Sequence, residues 1–245
     1  MAIVEVNGLT KRFDAVEVLR GLSLTLDKGE TLVIMGGSGS GKTVLLRHIA
    51  GLIRPDAGSI RVFGRNIEHL SEEALLPIRR RMGYVFQGAA LFDSLPVYEN
   101  VAYPLREHTS LREREIRERV VHFLSLVALG DEVLPLLPSE LSGGMRKRVG
   151  IARALIGEPE MLLFDEPTAG LDPTNSKMVG ELIMELRRGV CDTSIVVTHD
   201  LELTKTVADR VAVLMRGQFA AMGPMQDVMD TSNPAVQAFL SGEAR

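Results

Sequence analysis

Eight consecutive residues, Gly36-Gly37-Ser38-Gly39-Ser40-Gly41-Lys42-Thr43, restrict what this chain can fold into more than any other feature. They fill the pattern G-x-x-x-x-G-K-[ST]. A loop with almost no side-chain bulk ahead of its lysine can turn several backbone N–H groups inward on one anion. Lys42 then lies against the β- and γ-phosphates of a nucleotide, and Thr43 offers a hydroxyl to Mg²⁺. The flanks agree with this reading. Thr31-Leu32-Val33-Ile34-Met35 reads as a buried strand, and Val44 to Ala50 reads as a helix whose N-terminus adds its dipole to the loop. A flexible Gly/Ser turn would not need strand, loop and helix in register, so the chain is read as an α/β nucleotide-binding protein.

Composition narrows the class. At 245 residues the chain can bury a large core, enough for one domain or one domain carrying an inserted lobe. A net charge of −4 with no long basic run argues against a nucleic-acid partner. The short clusters Arg79-Arg80-Arg81 and Arg146-Lys147-Arg148 are read as solvated faces. No apolar run reaches the roughly 18 residues that a membrane span needs, and Met1 to Val6 lacks the basic start and apolar core of a signal peptide. Cys191 is the single cysteine and cannot form an internal disulfide, which fits a reducing cytosol and a passive role. His48, His69, His108 and His122 are scattered without metal-ligand spacing and are also read as passive.

A second chemical element lies downstream. Met161-Leu162-Leu163-Phe164 is an unbroken apolar run ending in Asp165-Glu166, which reads as a central parallel strand with two carboxylates at its C-terminal edge. Asp165 is placed to hold Mg²⁺, and Glu166 to polarise a water for in-line attack on a γ-phosphate. Lys42 and Asp165 are 123 residues apart, room for an inserted lobe. That lobe reads as helical. Ser110-Leu111-Arg112-Glu113 has the S-x-x-E form of a capping box, and Leu111, Ile116, Val120, Leu124 and Val127 follow on one face as core.

Leu141-Ser142-Gly143-Gly144-Met145-Arg146-Lys147-Arg148 opens a further helix, 23 residues from Ser142 to Asp165. Two glycines at a helix start let backbone N–H groups approach an anion. In this order and spacing the stretch resembles the signature motif of ATP-binding cassette ATPases, and the resemblance runs over about residues 3 to 225. It implies a P-loop NTPase (RecA-like) core with an antiparallel β subdomain and an inserted α-helical signature subdomain. On that pattern residues 1–245 form a single ATPase domain, with a nucleotide-binding core over about 1–87 and 158–225. The helical subdomain takes about 88–157 and a C-terminal helical tail takes 226–245. The resemblance also assigns roles. Phe13 stacks on the adenine of ATP, with Val18 as a wall of that pocket and Val44 just past the loop. Gln87 joins core to lobe and helps hold Mg²⁺ with Thr43 and Asp165. Asp172, in Ala169-Gly170-Leu171-Asp172, crosses a dimer seam, and His199, ending the strand Ser194 to Thr198, contacts the γ-phosphate. In the family two copies pair head to tail around ATP, so Ser142, Gly143, Gly144 and Asp172 act in trans on the partner's nucleotide.

The stretch Ala89 to Val101 is apolar yet rich in loop signals, as expected of a groove that receives a partner's helix. Gly88 to Leu95, Val101 to Thr109 and the methionine at 145 resemble the ATPases of Mla-type phospholipid transporters. That resemblance implies integral membrane permease subunits, an MCE lipid-binding protein, a small STAS-domain partner and a peripheral place on the cytoplasmic face of the inner membrane. Members can carry a C-terminal extension that embraces the partner. Here Asn233-Pro234 starts a short helix with Val236, Phe239 and Leu240 on one face. An ATPase for import of a polar solute such as an amino acid, and a non-transport cassette ATPase of cluster assembly, use the same motifs and stay open.

Overall fold

The structure is a computed structural model and describes residues 2–242. In chain order the first half runs β1 (Ala2–Phe13), β2 (Val16–Asp27), β3 (Thr31–Met35), α1 (Lys42–Ile49), β4 (Ala57–Val62), β5 (Arg65–Asn66), α2 (Glu72–Arg79) and β6 (Met82–Val85). Helices α3 (Val97–His108), α4 (Glu113–Leu126) and α5 (Gly143–Leu155) follow, with two short 3₁₀ turns between the last two. The chain continues through β7 (Met161–Asp165), α6 (Pro173–Gly189), β8 (Ser194–Thr198), α7 (Leu201–Val207), β9 (Arg210–Met215) and β10 (Gln218–Pro224), and ends in α8 (Met225–Met229) and α9 (Pro234–Leu240).

It divides into two compact units, residues 1–79 with 192–245 and residues 80–191. The first unit holds an antiparallel sheet in the order β2-β1-β4-β5 and four further strands in the order β10-β9-β3-β8. β3 runs parallel to both β8 and β9, and every residue of β3 and β8 is buried. Leu32, Val33, Ile34, Ile195, Val196 and Val197 supply β-branched or bulky side chains on both faces, the composition expected of a doubly covered parallel strand. Helix α1 buries Leu45, Leu46 and Ile49 on one stripe and packs on β8. At about 1.5–3 kcal/mol for each fully buried large side chain, that stripe is what seats the glycine loop above the sheet.

The second unit is built around α5, with β6 parallel to β7. Gly83 lets β6 lie directly on α5, because a Cβ there would sit 2.5 Å from the Ala154 carbonyl oxygen. This close packing explains why the unit reaches beyond the helical insert read at 88–157. Helix α4 buries Ile116, Val120, Phe123 and Leu124, and Val127 just past its end, so the stripe is core. Its start is not the one read from the sequence. The cap is Arg112, whose N–H donates to Glu115 Oε2 at 2.8 Å, and Ser110 stays outside the helix. The stretch read as a loop-rich groove also changes character at Val97, where α3 begins. Asn100 is wholly buried there. Its Oδ1 accepts from the Phe92 N–H (2.7 Å) and its Nδ2 donates to Phe92 O (3.1 Å) and Leu95 O (2.8 Å), pinning residues 92–96. A buried amide with those partners met is a structural staple. Phe92 and Tyr103 remain exposed, with ring centroids 4.9 Å apart.

Among the described residues no helix is long and apolar enough to cross a membrane. The C-terminal stretch carries α9, capped by Asn233, whose Oδ1 accepts from Ala235 N at 3.0 Å. Its Val236 is buried, while Phe239 and Leu240 are half-buried.

Candidate nucleotide site

In the first unit the chain leaves β3 at Met35, level with Thr198 of β8, so the glycine loop and His199 emerge from the same strand edge. Gly36 is buried. A Cβ there would strike the Leu214 carbonyl oxygen and lie 2.6 Å from Ser40 Oγ. Gly39 and Gly41 take φ of +74° and +107°, and a Cβ on Gly41 would come within 2.8 Å of Leu19 and 3.3 Å of Val18 Cγ1. The loop therefore needs glycine at its base and at the helix start for space as well as for backbone angle. Gly37, Ser38 and Gly39 are exposed. Lys42 is nearly buried, and its ammonium donates to the carbonyls of Gly36 (2.7 Å) and Gly37 (3.1 Å). The cation thus lies under the loop, where a polyphosphate would meet it. Helix α1 has no side-chain cap.

Phe13 is 42% exposed, and the Lys11 ammonium lies 5.4 Å from its ring centre. Val18 is half-buried beside Gly41, and Thr43 and Val44 are half-buried at the start of α1. His199 is exposed. The next residue, Asp200, caps α7 by accepting from Leu203 N at 3.0 Å.

In the second unit Gln87 lies past the end of β6, while Asp165 and Glu166 lie at the end of β7. Strand register places Val85 opposite Phe164, so the glutamine and the two acids also share one strand edge. Both carboxylates are buried, at 3% and 7% exposure, and the Tyr84 hydroxyl donates to Asp165 Oδ2 at 3.2 Å. Glu166 takes φ of +49°, a conformation that L residues rarely adopt.

Ser142 caps α5, its Oγ accepting from Met145 N at 3.2 Å, and its O–H remains able to donate. Gly144 must be glycine because a Cβ would sit 2.7 Å from Asn175 Oδ1, while Gly143 has more room. Asp172 caps α6, accepting from Asn175 N (3.0 Å) and Asn175 Nδ2 (2.5 Å), and these bonds hold its carboxyl below the usual carboxylate range. Asn175, held by Asp172, thus lies against Gly144, a proximity the sequence reading did not include.

It also missed Lys147. Only part of the Arg146-Lys147-Arg148 cluster is a solvated face: Arg146 is exposed, Arg148 half-buried and Lys147 buried. Arg146 donates to Leu141 O (2.9 Å) and Arg148 to Ala128 O (2.7 Å). Lys147 is only 6% exposed and donates to the carbonyls of Gln87 and, at 3.2 Å, Glu166. Burial holds its ammonium below the usual lysine range, against the opposing pull of the Glu166 and Asp165 carboxylates. A signal was present: Lys147, Ile151 and Leu155 stand at i, i+4 and i+8, on one buried helix face. Arg79 and Arg81 are engaged too, Arg79 with Glu72 and Gly51 O and Arg81 bidentately with Glu160.

Among the described residues no group of three or more His, Cys, Asp or Glu gathers to hold a metal ion.

Comparison with known proteins agrees with this chemistry. The family described as ABC transporter matches residues 19–169. The probable ribonucleotide transport ATP-binding protein mkl of Mycobacterium tuberculosis is 42% identical over 239 residues, which cover 98% of this chain. This chain spans 66% of the length of that relative. The intermembrane phospholipid transport system ATP-binding protein MlaF is 40% identical in Haemophilus influenzae, covering 99% of this chain and 91% of that protein. In Escherichia coli K12 it is 41% identical, covering 93% and 84%. Among solved structures, the ATP-binding cassette MJ0796, dimeric and bound to ADP and Pi, matches with a TM-score of 0.84 at 31% identity, covering 91% of this chain and 98% of that one. CbiO1 of Clostridium perfringens matches with a TM-score of 0.84 at 30% identity, covering 98% and 95%. With the glycine loop, the Ser142 turn and the Asp165-Glu166 strand end all set on this P-loop NTPase fold, the chain belongs to the ABC transporter family of ATP-binding cassettes.

Proposed function

We propose that this chain is the ATP-hydrolysing subunit of an envelope phospholipid transporter. The observation that carries the transport reading is the likeness to the two MlaF proteins, at 40% and 41% identity over nearly the whole chain. ATP chemistry is supported by the cradle at Gly36 and Gly41 and the lysine under it. The chain acts as one ATPase domain, with a core over about 1–87 and 158–225, a helical subdomain over about 88–157 and the tail at 226–245.

Phe13 stacks on adenine, with Val18 and Val44 beside it. The amides from Gly36 to Thr43 hold the phosphates, and Lys42 neutralises their charge. Thr43, Gln87 and Asp165 would hold Mg²⁺, which would supply positive charge against the phosphates. Glu166 orients the attacking water and accepts its proton, while His199 steadies the γ-phosphate. Ser142, Gly143, Gly144 and Asp172 meet the nucleotide of a second copy paired head to tail. ATP then holds two copies together, and hydrolysis releases them. This cycle drives integral membrane permease subunits from the cytoplasmic face of the inner membrane, with an MCE lipid-binding protein and a STAS-domain protein as further partners.

A second reading draws on the mycobacterial relatives, whose name refers to ribonucleotide transport. In that case the same engine serves a polar solute. Affinity purification of the tagged chain from detergent-solubilised membranes separates the two. Co-elution of an MCE protein with phospholipid is the expected result. A permease recovered with a periplasmic solute receptor would replace the lipid reading, and soluble partners alone would point to cluster assembly.

A further inference from the structure

The chemistry proposed above uses the side chains of Gln87 and Glu166 but does not explain what sets their backbones. Glu166 sits at φ +49°, where an L residue does not stay unaided. Two residues past Gln87, Ala89 and Ala90 also take left-handed angles of +61° and +48°. Both strained stretches are tied to the same helix. Arg153 of α5 donates to Ala89 O (2.7 Å) and Ala90 O (2.9 Å). Lys147, six residues nearer the Ser142 end, donates to Gln87 O and Glu166 O. The Glu166 carbonyl also accepts from Ala169 N at 3.2 Å within its own turn, and Lys147 reaches it from another element.

An ammonium is a demanding choice for this position. It is strongly hydrated, and at 6% exposure it has given up most of its water for carbonyl partners. A long apolar side chain would fill the same space more readily. What the lysine adds is a charge-assisted bridge between Gln87, two residues before the strained alanines, and the strained acid.

We infer that Lys147 is a positioning residue: from the signature helix it clamps the Gln87 and Glu166 backbones and so sets the direction of the Glu166 carboxylate. The inference rests on the ATPase reading above. It also gives the helix that begins at Ser142 a direct mechanical hold on the hydrolytic acid, through one side chain spanning α5, the end of β6 and the end of β7.

The test is steady-state ATP hydrolysis by the full chain, wild type against Lys147→Met and Lys147→Arg, each checked by circular dichroism and thermal melting. Loss of the bridge leaves two carbonyls short of a charged donor, so Lys147→Met should lower kcat about 30-fold while KM stays within about twofold. Lys147→Arg, which keeps charge and donors, should recover most of that loss. In a Glu166→Gln background, Lys147→Met should add less than about a threefold change, because the group it positions no longer acts. A joint loss in kcat and KM, an arginine variant no better than methionine, or an undiminished 30-fold effect in the Glu166→Gln background would each overturn the proposal. If Lys147→Met does not fold, Lys147→Gln, which keeps a donor, is judged by the same criteria. If the wild type itself fails to hydrolyse ATP, it is the ATPase reading that falls. Hydrogen exchange then decides the clamp: faster exchange at residues 86–90 and 166–169, with 42–50 unchanged, supports it, and no change at those segments refutes it.

Discussion

His48 shows how a single residue can tie stability to pH. It lies on the buried side of α1, wholly out of solvent. Its Nδ1 is 2.7 Å from the Val44 carbonyl oxygen. Burial pushes its pKa below the ordinary imidazole value, and the nearby Lys11 ammonium acts in the same direction. The Val44 carbonyl bond and the Asp56 carboxylate oppose them. The folded protein therefore binds fewer protons here than the unfolded chain does. Stability is full above the unfolded value near 6.5 and declines as the pH falls through it. Thermal melting between pH 7.5 and 5.5 should show the midpoint falling, and His48→Gln should flatten that fall. Each kcal/mol lost corresponds to about 2–4 °C for a chain of this size. An equal slope in both proteins would assign the pH dependence elsewhere. In the sequence this histidine read only as passive. Its burial follows from the face that α1 turns toward β4, where His48 lies with Ile60, Ile67 and Leu75.

Among the elements, α4 shows where local pattern misleads. Ser110 and Glu113 have the spacing of a capping box, yet the helix starts two residues later. Thr109 explains the difference in part. Its N–H and Oγ1 both donate to Leu105 O, closing α3 and leaving Ser110 in the connection. Tyr98, Arg106 and Glu113 then bind the two helices together. The Tyr98 hydroxyl donates to Glu113 Oε1 at 2.5 Å and Arg106 holds both Glu113 oxygens, with burial and the carboxylate pushing the phenol up to about 12. Glu113 is thus a clamp between helices and not a capping partner, and Glu115 takes the capping role. Glu115→Ala should lower the melting midpoint by about 2 °C, and Ser110→Ala by less than half of that. The reverse order in calorimetry would restore Ser110 as the cap.

The proposal at the scale of the whole molecule is that ATP joins two copies. Glu166→Gln removes the base while leaving the carbonyl that Lys147 holds. Turnover should fall about 10³-fold, roughly 4 kcal/mol of barrier, with ATP binding kept. With ATP and Mg²⁺, size-exclusion chromatography coupled to light scattering should show this variant at twice the monomer mass. Adding Lys42→Ala should abolish the shift by weakening nucleotide binding. A Glu166→Gln protein that hydrolyses ATP at the wild-type rate would remove that residue from its role.

What the chain's order of residues determined by itself was the set of parts. The glycine loop, the apolar strands ending at Met35, Asp165 and Thr198, and the Ser142-Gly143-Gly144 turn could all be read because each depends on neighbours within a few positions. Steric freedom at glycine, strand burial and helix capping are local physics. The tertiary structure alone decided which charged and polar side chains turn from water to the main chain. Lys147, Arg148, Arg153 and Asn100 carry the composition of a solvated surface, yet they end on main-chain carbonyls 5 to 64 residues away. No local pattern sets those distances. They follow from the packing of α5 on β6 and of α3 on α5, which brings left-handed turns with unmet carbonyls within reach of long cationic stems.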